Sequence, residues 1–129
     1  MSTLRANALE GVDAKNSITI VAGAGNVTTT NVEQGLAKVW VQFDGQASGA
    51  ASRDSLNVGS MTDNGTGNYT VNFSNNMFND DYASAGIGNT MSITSEAVTT
   101  STINLLSANS SGSLSDVTIM ATSILGDLA

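Results

Sequence analysis

The segment DNGTGN, residues 63–68, is the first candidate for chemistry, because acidic and amide oxygens alternate with two glycines. Such oxygens bind calcium in EF-hand loops, which also need a bidentate Glu at position 12. Counted from Asp63, that position is Ser74, so the decisive ligand is missing. Asn-Gly and Asp-Asn-Gly form tight turns because Gly and Asn accept positive φ. We therefore expect a hairpin turn without a metal ion, formed by Asp63, Asn64, Gly65 and Gly67.

Two short glycine pairs, GAGN at 23–26 and GTGN at 65–68, are weak candidates for phosphate loops. Neither has the third glycine, the Lys-Ser/Thr pair or the following helix that a phosphate-binding loop uses. We therefore expect no nucleotide and no other cofactor.

Side chains for acid–base or nucleophilic catalysis are scarce. The chain has no His and no Cys, and its lysines are Lys15 and Lys38, so a serine nucleophile lacks the usual base. Asp80 and Asp81 are adjacent, and neighbours in a strand point to opposite faces. A pair of carboxylates converging across a cleft stays open as an alternative. The prediction is a protein that is not an enzyme.

The charge of the chain argues against two classes of partner. Its 11 acidic and 4 basic residues give a net charge of −7, and four scattered cations cannot form the basic stripe that binds a phosphate backbone. No apolar run approaches the roughly 18 residues of a membrane span. Residues 1–11 lack the apolar core of a signal peptide. We expect no nucleic acid partner and no membrane insertion.

Alternation of apolar and polar residues predicts β-strands over most of the chain. KVWVQFDG and NYTVNF are the clearest runs, and Gly, Ser and Asn separate about five to seven such strands. This pattern favours an all-β, antiparallel, jelly-roll-like sandwich over residues 36–129. The chain has no proline, which removes one device that protects sheet edges, so we expect edges to be buried against partners. The predicted apolar faces contain Val39, Val41, Phe43, Leu56, Val58, Tyr69, Val71, Phe73, Met91, Ile93, Ile103, Leu105, Val117, Ile119 and Ala121.

Residues 1–35 are poor in large side chains and contain no aromatic residue. At about 25 cal/mol per Å² of buried apolar surface, such an arm does not offset its own ordering entropy. We expect a short extended arm that packs against another copy of the chain, with Ile18 and Ile20 of the strand candidate SITIV as subunit contacts. The alternative is a disordered tail.

Trp40, the single tryptophan, faces away from Val39 and Val41 in the predicted strand. An outward Trp forms either a sugar-stacking platform or a subunit contact. We favour the subunit contact, because Trp is on average highly buried.

These residues resemble a domain of tail-fibre-like proteins of tailed bacteriophages, which shows Lys-x-Trp-Val-x-Phe-x-Gly and Thr-Asp-Asn-Gly-Thr-Gly-x-Tyr-Thr-Val-Asn-Phe. The likeness spans residues 36–129 and is dense over 38–83, and SDVTIMATSILGD resembles the closing strand of that domain. The matching positions are Lys38, Trp40, Val41, Phe43, Gly45, Arg53, Ser55, Asn57, Val58, Thr62–Gly67, Tyr69–Phe73, Tyr82 and Ala83.

The resemblance implies a virion structural protein on the phage particle surface. It implies a homotrimer whose arm, residues 1–35, anchors it to other virion proteins of the tail, adaptor or capsid. The sandwich then projects outward, with a host-surface glycan as a candidate partner. A capsid decoration, cement or head-fibre protein of the same fold is the first alternative, and a carbohydrate-binding module is the second.

Overall fold

The computed structural model describes the backbone of residues 19–22, 28–31, 35–88 and 92–129, and the side chains of residues 35–88 and 94–129. The chain divides into two units, Met1–Leu36 and Ala37–Ala129. In the first unit, β1 (Thr19–Ala22) pairs antiparallel with β2 (Thr28–Asn31).

The second unit is built from strands that form two sheets. The first sheet has the order β4-β3-β10-β7 and the second the order β5-β6-β9-β8, and all neighbours are antiparallel. None of the described residues of this unit is helical, so the predicted all-β class is confirmed. The strands are β3 (Ala37–Asp44), β4 (Ala51–Leu56), β5 (Val58–Gly65), β6 (Asn68–Phe73), β7 (Ala83–Gly88), β8 (Ser92–Val98), β9 (Thr102–Ala108) and β10 (Met120–Leu125).

The strand order differs from the jelly-roll arrangement expected from the sequence. A jelly roll pairs its eight strands as one folded-over hairpin, first with last and second with seventh. Here the first–last pairing, β3 with β10, is present, but the second strand, β4, does not pair with the seventh, β9. Three short hairpins, β3–β4, β5–β6 and β8–β9, instead keep consecutive strands within one sheet, because tight turns join antiparallel neighbours at little entropic cost.

The two sheets share one apolar core, which makes the second unit sandwich-like. β6 and β9 alternate between buried and more exposed residues along their length, as predicted. β3 alternates from Val39 onward, whereas Lys38, predicted to lie on the other face, is buried as well. The ring of Phe43 from the first sheet meets the ring of Tyr69 from the second edge-on, with centroids 5.2 Å apart. The buried apolar residues are Val39, Val41, Phe43, Ala50, Tyr69, Val71, Phe73, Met77, Ile103, Leu105, Val117, Met120 and Ile124.

The face predicted for the last strand is wrong. The sequence pattern placed Val117, Ile119 and Ala121 together on the inner side, yet Ile119 is 40% exposed and Met120 is fully buried. Val117 lies in the irregular segment before β10, so the alternation restarts at Met120. Because strand side chains alternate strictly, this shift of one residue exchanges the two faces.

Leu56 and Val58 also do not share a face, because the chain changes sheets between them. Leu56 ends β4 and is 48% exposed, whereas Val58 begins β5 and packs on the core. Asn57 makes the turn with φ of 58°, a conformation that Asn tolerates better than most residues. Its Oδ1 accepts a hydrogen bond from the backbone N–H of Asn75 at 2.7 Å, which fixes the crossover.

Candidate functional site

The segment that first suggested chemistry forms the end of the β5–β6 hairpin. Asp63 and Asn64 lie in β5, Gly65 ends that strand, and Gly67 lies in the turn before β6. The Asp63 carboxylate accepts a hydrogen bond from the N–H of Gly65 at 2.9 Å. Asn64 donates to the Thr70 hydroxyl across the hairpin at 2.8 Å. Gly65 and Gly67 have φ of 121° and 65°, which is the left-handed region that requires glycine.

Gly67 is buried and held from the opposite side by a loop far away in the sequence. Its N–H donates to the Asp116 carboxylate at 2.6 Å, and its carbonyl accepts from the N–H of Ser107 at 2.8 Å. A Cβ at this position would lie 2.5 Å from the Ser107 carbonyl oxygen and 2.6 Å from the Ser115 nitrogen. Glycine is therefore required at position 67 for two reasons, its positive φ and the close approach of the backbone of Ser107 and Ser115.

The same Asp116 oxygen accepts a second hydrogen bond, from the Tyr69 hydroxyl at 2.6 Å. The Tyr69 hydroxyl also lies 3.0 Å from the carbonyl oxygen of Gly45, at the end of β3. Gly45 in turn donates its N–H to the carbonyl of Val117 at 2.8 Å. We call Gly45, Gly67, Tyr69 and Asp116 the tyrosine clamp, since together they join β3, the β5–β6 turn, β6 and the loop before β10.

The electrostatics of the tyrosine clamp keep Tyr69 protonated. Burial raises the pKa of Tyr69 far above its usual range, and the hydrogen bond to Asp116 and the charges of Asp116 and Asp63 raise it further. A phenol in this state donates a hydrogen bond and does not act as a base at neutral pH. The clamp therefore stabilises the fold, with the Tyr69 phenol as a hydrogen-bond donor.

The carboxylates of Asp63 and Asp116 each already accept hydrogen bonds through one oxygen. One Asp63 oxygen receives an N–H, and one Asp116 oxygen receives both an N–H and an O–H. A calcium ligand set instead needs oxygens that converge on a shared empty centre. Across the described ranges, no three metal-ligating side chains come together.

Trp40 lies on the outer face of the first sheet and is partly exposed. It stands beside Leu56 of β4 on one side and Ser123 of β10 on the other. Beyond Ser123 lies Ala85 of the edge strand β7. A shallow, mostly apolar groove of about 450 Å³ is lined by Trp40, Ser123 and Ala85 together with Gln42, Ala121 and Ile87. The groove is uncharged and suits an apolar contact surface.

The other predicted contact residues belong to the first unit. Ile18 lies outside the described residues, and Ile20 lies in β1, where only the backbone is described. The structure therefore describes Trp40 within its groove, whereas the predicted contacts of Ile18 and Ile20 stay predictions.

The outer face of the second sheet is polar, and its amide and hydroxyl groups form hydrogen bonds with one another, although the buried Oδ1 of Asn104 accepts none. Asn104 donates to the Asn68 side chain at 2.8 Å, and Asn72 donates to the Thr62 hydroxyl at 3.1 Å. Amides and hydroxyls thus bond to one another across three strands, β5, β6 and β9. This network resembles the cross-strand pairs that stabilise sheets.

Two features of the site were missed at the level of sequence. Asp116 is a lone acid in a serine-rich loop, and its only local signal is that an isolated charge in such a loop needs partners. The exposure of Ile87, at 73%, follows from the edge position of β7, which the alternation pattern does not reveal.

Comparison with known proteins adds no relative to this chain: no family model, no curated protein and no solved structure matches it. In the part of the chain that the structure describes, no helix has the length and apolar character needed to cross a bilayer.

Removing the Asp116 carboxylate is expected to destabilise the fold far more than removing that of Asp63. Asp116→Ala leaves the N–H of buried Gly67 without its partner and deprives Tyr69 of a charged acceptor, which costs about 2–4 kcal/mol. Asp63→Ala removes one exposed hydrogen bond and costs about 0.5–1 kcal/mol. Urea unfolding curves give both values. Equal losses for the two variants would contradict the assigned role of Asp116.

Alkaline pH is expected to unfold the protein through its two tyrosines. Burial raises the pKa of Tyr82 to about 12, and that of Tyr69 lies higher still, against 10.0 for an unperturbed phenol. The unfolded chain therefore loses these protons first, so the tyrosine contribution is complete below pH 10 and is lost as pH rises through 12. Unfolding free energies between these pH values test this, with Tyr69→Phe expected to flatten the decline. A stability that stays constant up to pH 12 would contradict it.

Proposed function

We propose that this chain is a structural protein of a tailed bacteriophage virion. In this proposal it forms a short, trimeric, tail-fibre-like projection on the particle surface. Residues 1–35 anchor it to other virion proteins, and residues 36–129 project outward and contact the host surface. The chain carries out no catalysis in this role.

The observation that carries the proposal is the structural role of the residues that resemble the fibre-domain pattern. In this chain Phe43, Tyr69, Val71 and Phe73 form the core, and Gly67 is locked into the tyrosine clamp. The resembling segment therefore works as a scaffold. Members of a family of structural modules share a scaffold and differ in their surface residues. They can do so because the residues that bind partners lie mainly on loops.

A shell-bound protein of the same fold is the second candidate, and the outer face of the first sheet favours it. The groove beside Trp40 and the exposed Ile87 form an apolar, uncharged surface. Such surfaces on soluble proteins mark contacts with other proteins. A capsid decoration, cement or head-fibre protein has neighbours available to cover this face.

A carbohydrate-binding role draws its support from the indole of Trp40 and the amide of Gln42 within one groove. An aromatic face with a neighbouring amide matches a sugar ring and its hydroxyls. The groove also contains Ala85, Ala121 and Ile87, which offer a sugar no hydrogen bonds, so we rank this role third. A host-surface glycan stays a candidate partner of the fibre.

Copy number on purified virions separates the candidates. Quantitative mass spectrometry against the major capsid protein is expected to give roughly tens of copies in multiples of three for a trimeric tail protein. A ratio of one chain per capsid subunit, or one per three, identifies a shell protein. Absence of the chain from intact particles would overturn both. Trp40→Ala with unchanged binding on a glycan array would remove the sugar role.

A further inference from the structure

The strand β7 is an edge strand whose outer side pairs with no other strand among those described. Its sequence, ASAGIG, contains no charge and no proline, and its pairing with β10 runs through all six residues without a bulge. A regular, uncharged edge of this kind offers its N–H and C=O groups to any extended strand.

The other three edge strands of this unit are protected. β4 carries Arg53 and Asp54, β5 carries Asp63, and β8 carries Glu96. The pairings of all three with their neighbours also contain register shifts. Charges and bulges are the usual devices that prevent pairing between sheet edges. β7 is thus the single edge of the two described sheets without either device.

We infer that β7 pairs with β7 of a second copy of this chain, antiparallel about a two-fold axis, so that two first sheets become one continuous sheet. The charge distribution permits a second copy as the occupant, and the exposed Ile87 beside an apolar groove favours it. Residues 35–129 contain eight acidic and two basic residues, so contact between like surfaces generally brings carboxylates together. The edge β7 and the adjoining groove carry no charge, so two copies meet there without that repulsion.

The register of this contact follows from the direction of the main-chain groups. The carbonyl of Ala85 accepts a hydrogen bond from the Thr122 hydroxyl of β10 at 3.2 Å, so it points into its own sheet. Main-chain groups alternate along a strand, and those of Ser84, Gly86 and Gly88 therefore point outward. A two-fold axis perpendicular to the sheet at Gly86 pairs all three of these residues, with Gly86 opposite Gly86 and Ser84 opposite Gly88.

The outer face of the joined sheet explains the exposure of Ile87. In this register Ile87 of the second copy lies directly opposite Ala85 on the outer face. Ala85 lines the groove with Ser123 and Trp40, so the isoleucine covers the end of that groove. Ile87 is 73% exposed in the single chain, and the two-fold contact covers it in both copies.

This inference does not depend on the proposed function. The β7 contact has two-fold symmetry and differs from the three-fold association of a trimer. Closed assemblies that contain both contacts have copy numbers in multiples of six, whereas the β7 contact alone gives a dimer.

Single cysteines in the full-length chain test the register, since the natural sequence has none. Gly86→Cys places two cysteines opposite each other with Cα atoms about 5.5 Å apart, within the range for a disulfide. Ser84→Cys is the matched control, because Ser84 and Gly86 line one cavity of about 300 Å³. In the proposed register the two copies of residue 84 lie about 14 Å apart along the strands, too far for a disulfide. We expect an oxidised dimer from Gly86→Cys alone.

A charge variant tests the contact in the reduced protein. Ile87→Lys, in analytical ultracentrifugation, is expected to weaken the two-fold association by about ten-fold or more. Leu56→Lys is its control, an exposed apolar residue on the same face at the opposite edge. Equal cross-linking of both cysteine variants, no cross-linking of either, or equal effects of both lysines would overturn the inference.

Discussion

The sandwich-like unit depends on the hydrogen bonds that the carboxylate of Asp116 accepts. This carboxylate receives the N–H of Gly67 and the hydroxyl of Tyr69, and Tyr69 also reaches Gly45 at the end of β3. The two sheets are therefore joined at this end by polar contacts as well as by core packing. Because Gly45, Gly67 and Tyr69 are buried and Asp116 is half-buried, the loss of one group leaves another unsatisfied, which is costly.

The opposite end of the unit is closed by a second tyrosine. The Tyr82 hydroxyl donates to the carbonyls of Thr99 and Thr102 in the second sheet, each 3.1 Å away, and its ring meets Phe73 edge-on. β7 follows directly after Tyr82. Its position is thus fixed at one end by a partly buried ring, while its outer edge pairs with none of the described strands. The fold builds a rigid edge suited to assembly.

Much of this fold could be predicted from local sequence, and the remainder depends on long-range contacts. The alternation in β3, β6 and β9 is visible in sequence because the inner faces are mostly apolar, with Ser107 of β9 as the buried polar exception. The residues of β10 that face the core could not be predicted from the sequence, since an irregular loop breaks the alternation after Val117. The strand order was also beyond local pattern. Asp116 could not be assigned, because its partners lie 47 and 49 residues away.

Hydrogen exchange at the Gly67 amide tests most directly whether the tyrosine clamp holds the structure together. If it does, the Gly67 N–H exchanges only through global opening, with a protection free energy equal to the unfolding free energy from urea titration. The exposed hairpin tip around Thr66 then provides an internal reference for fast exchange. Exchange of Gly67 at the rate of that tip would contradict the account, because it would show that the hairpin opens while the sandwich stays folded.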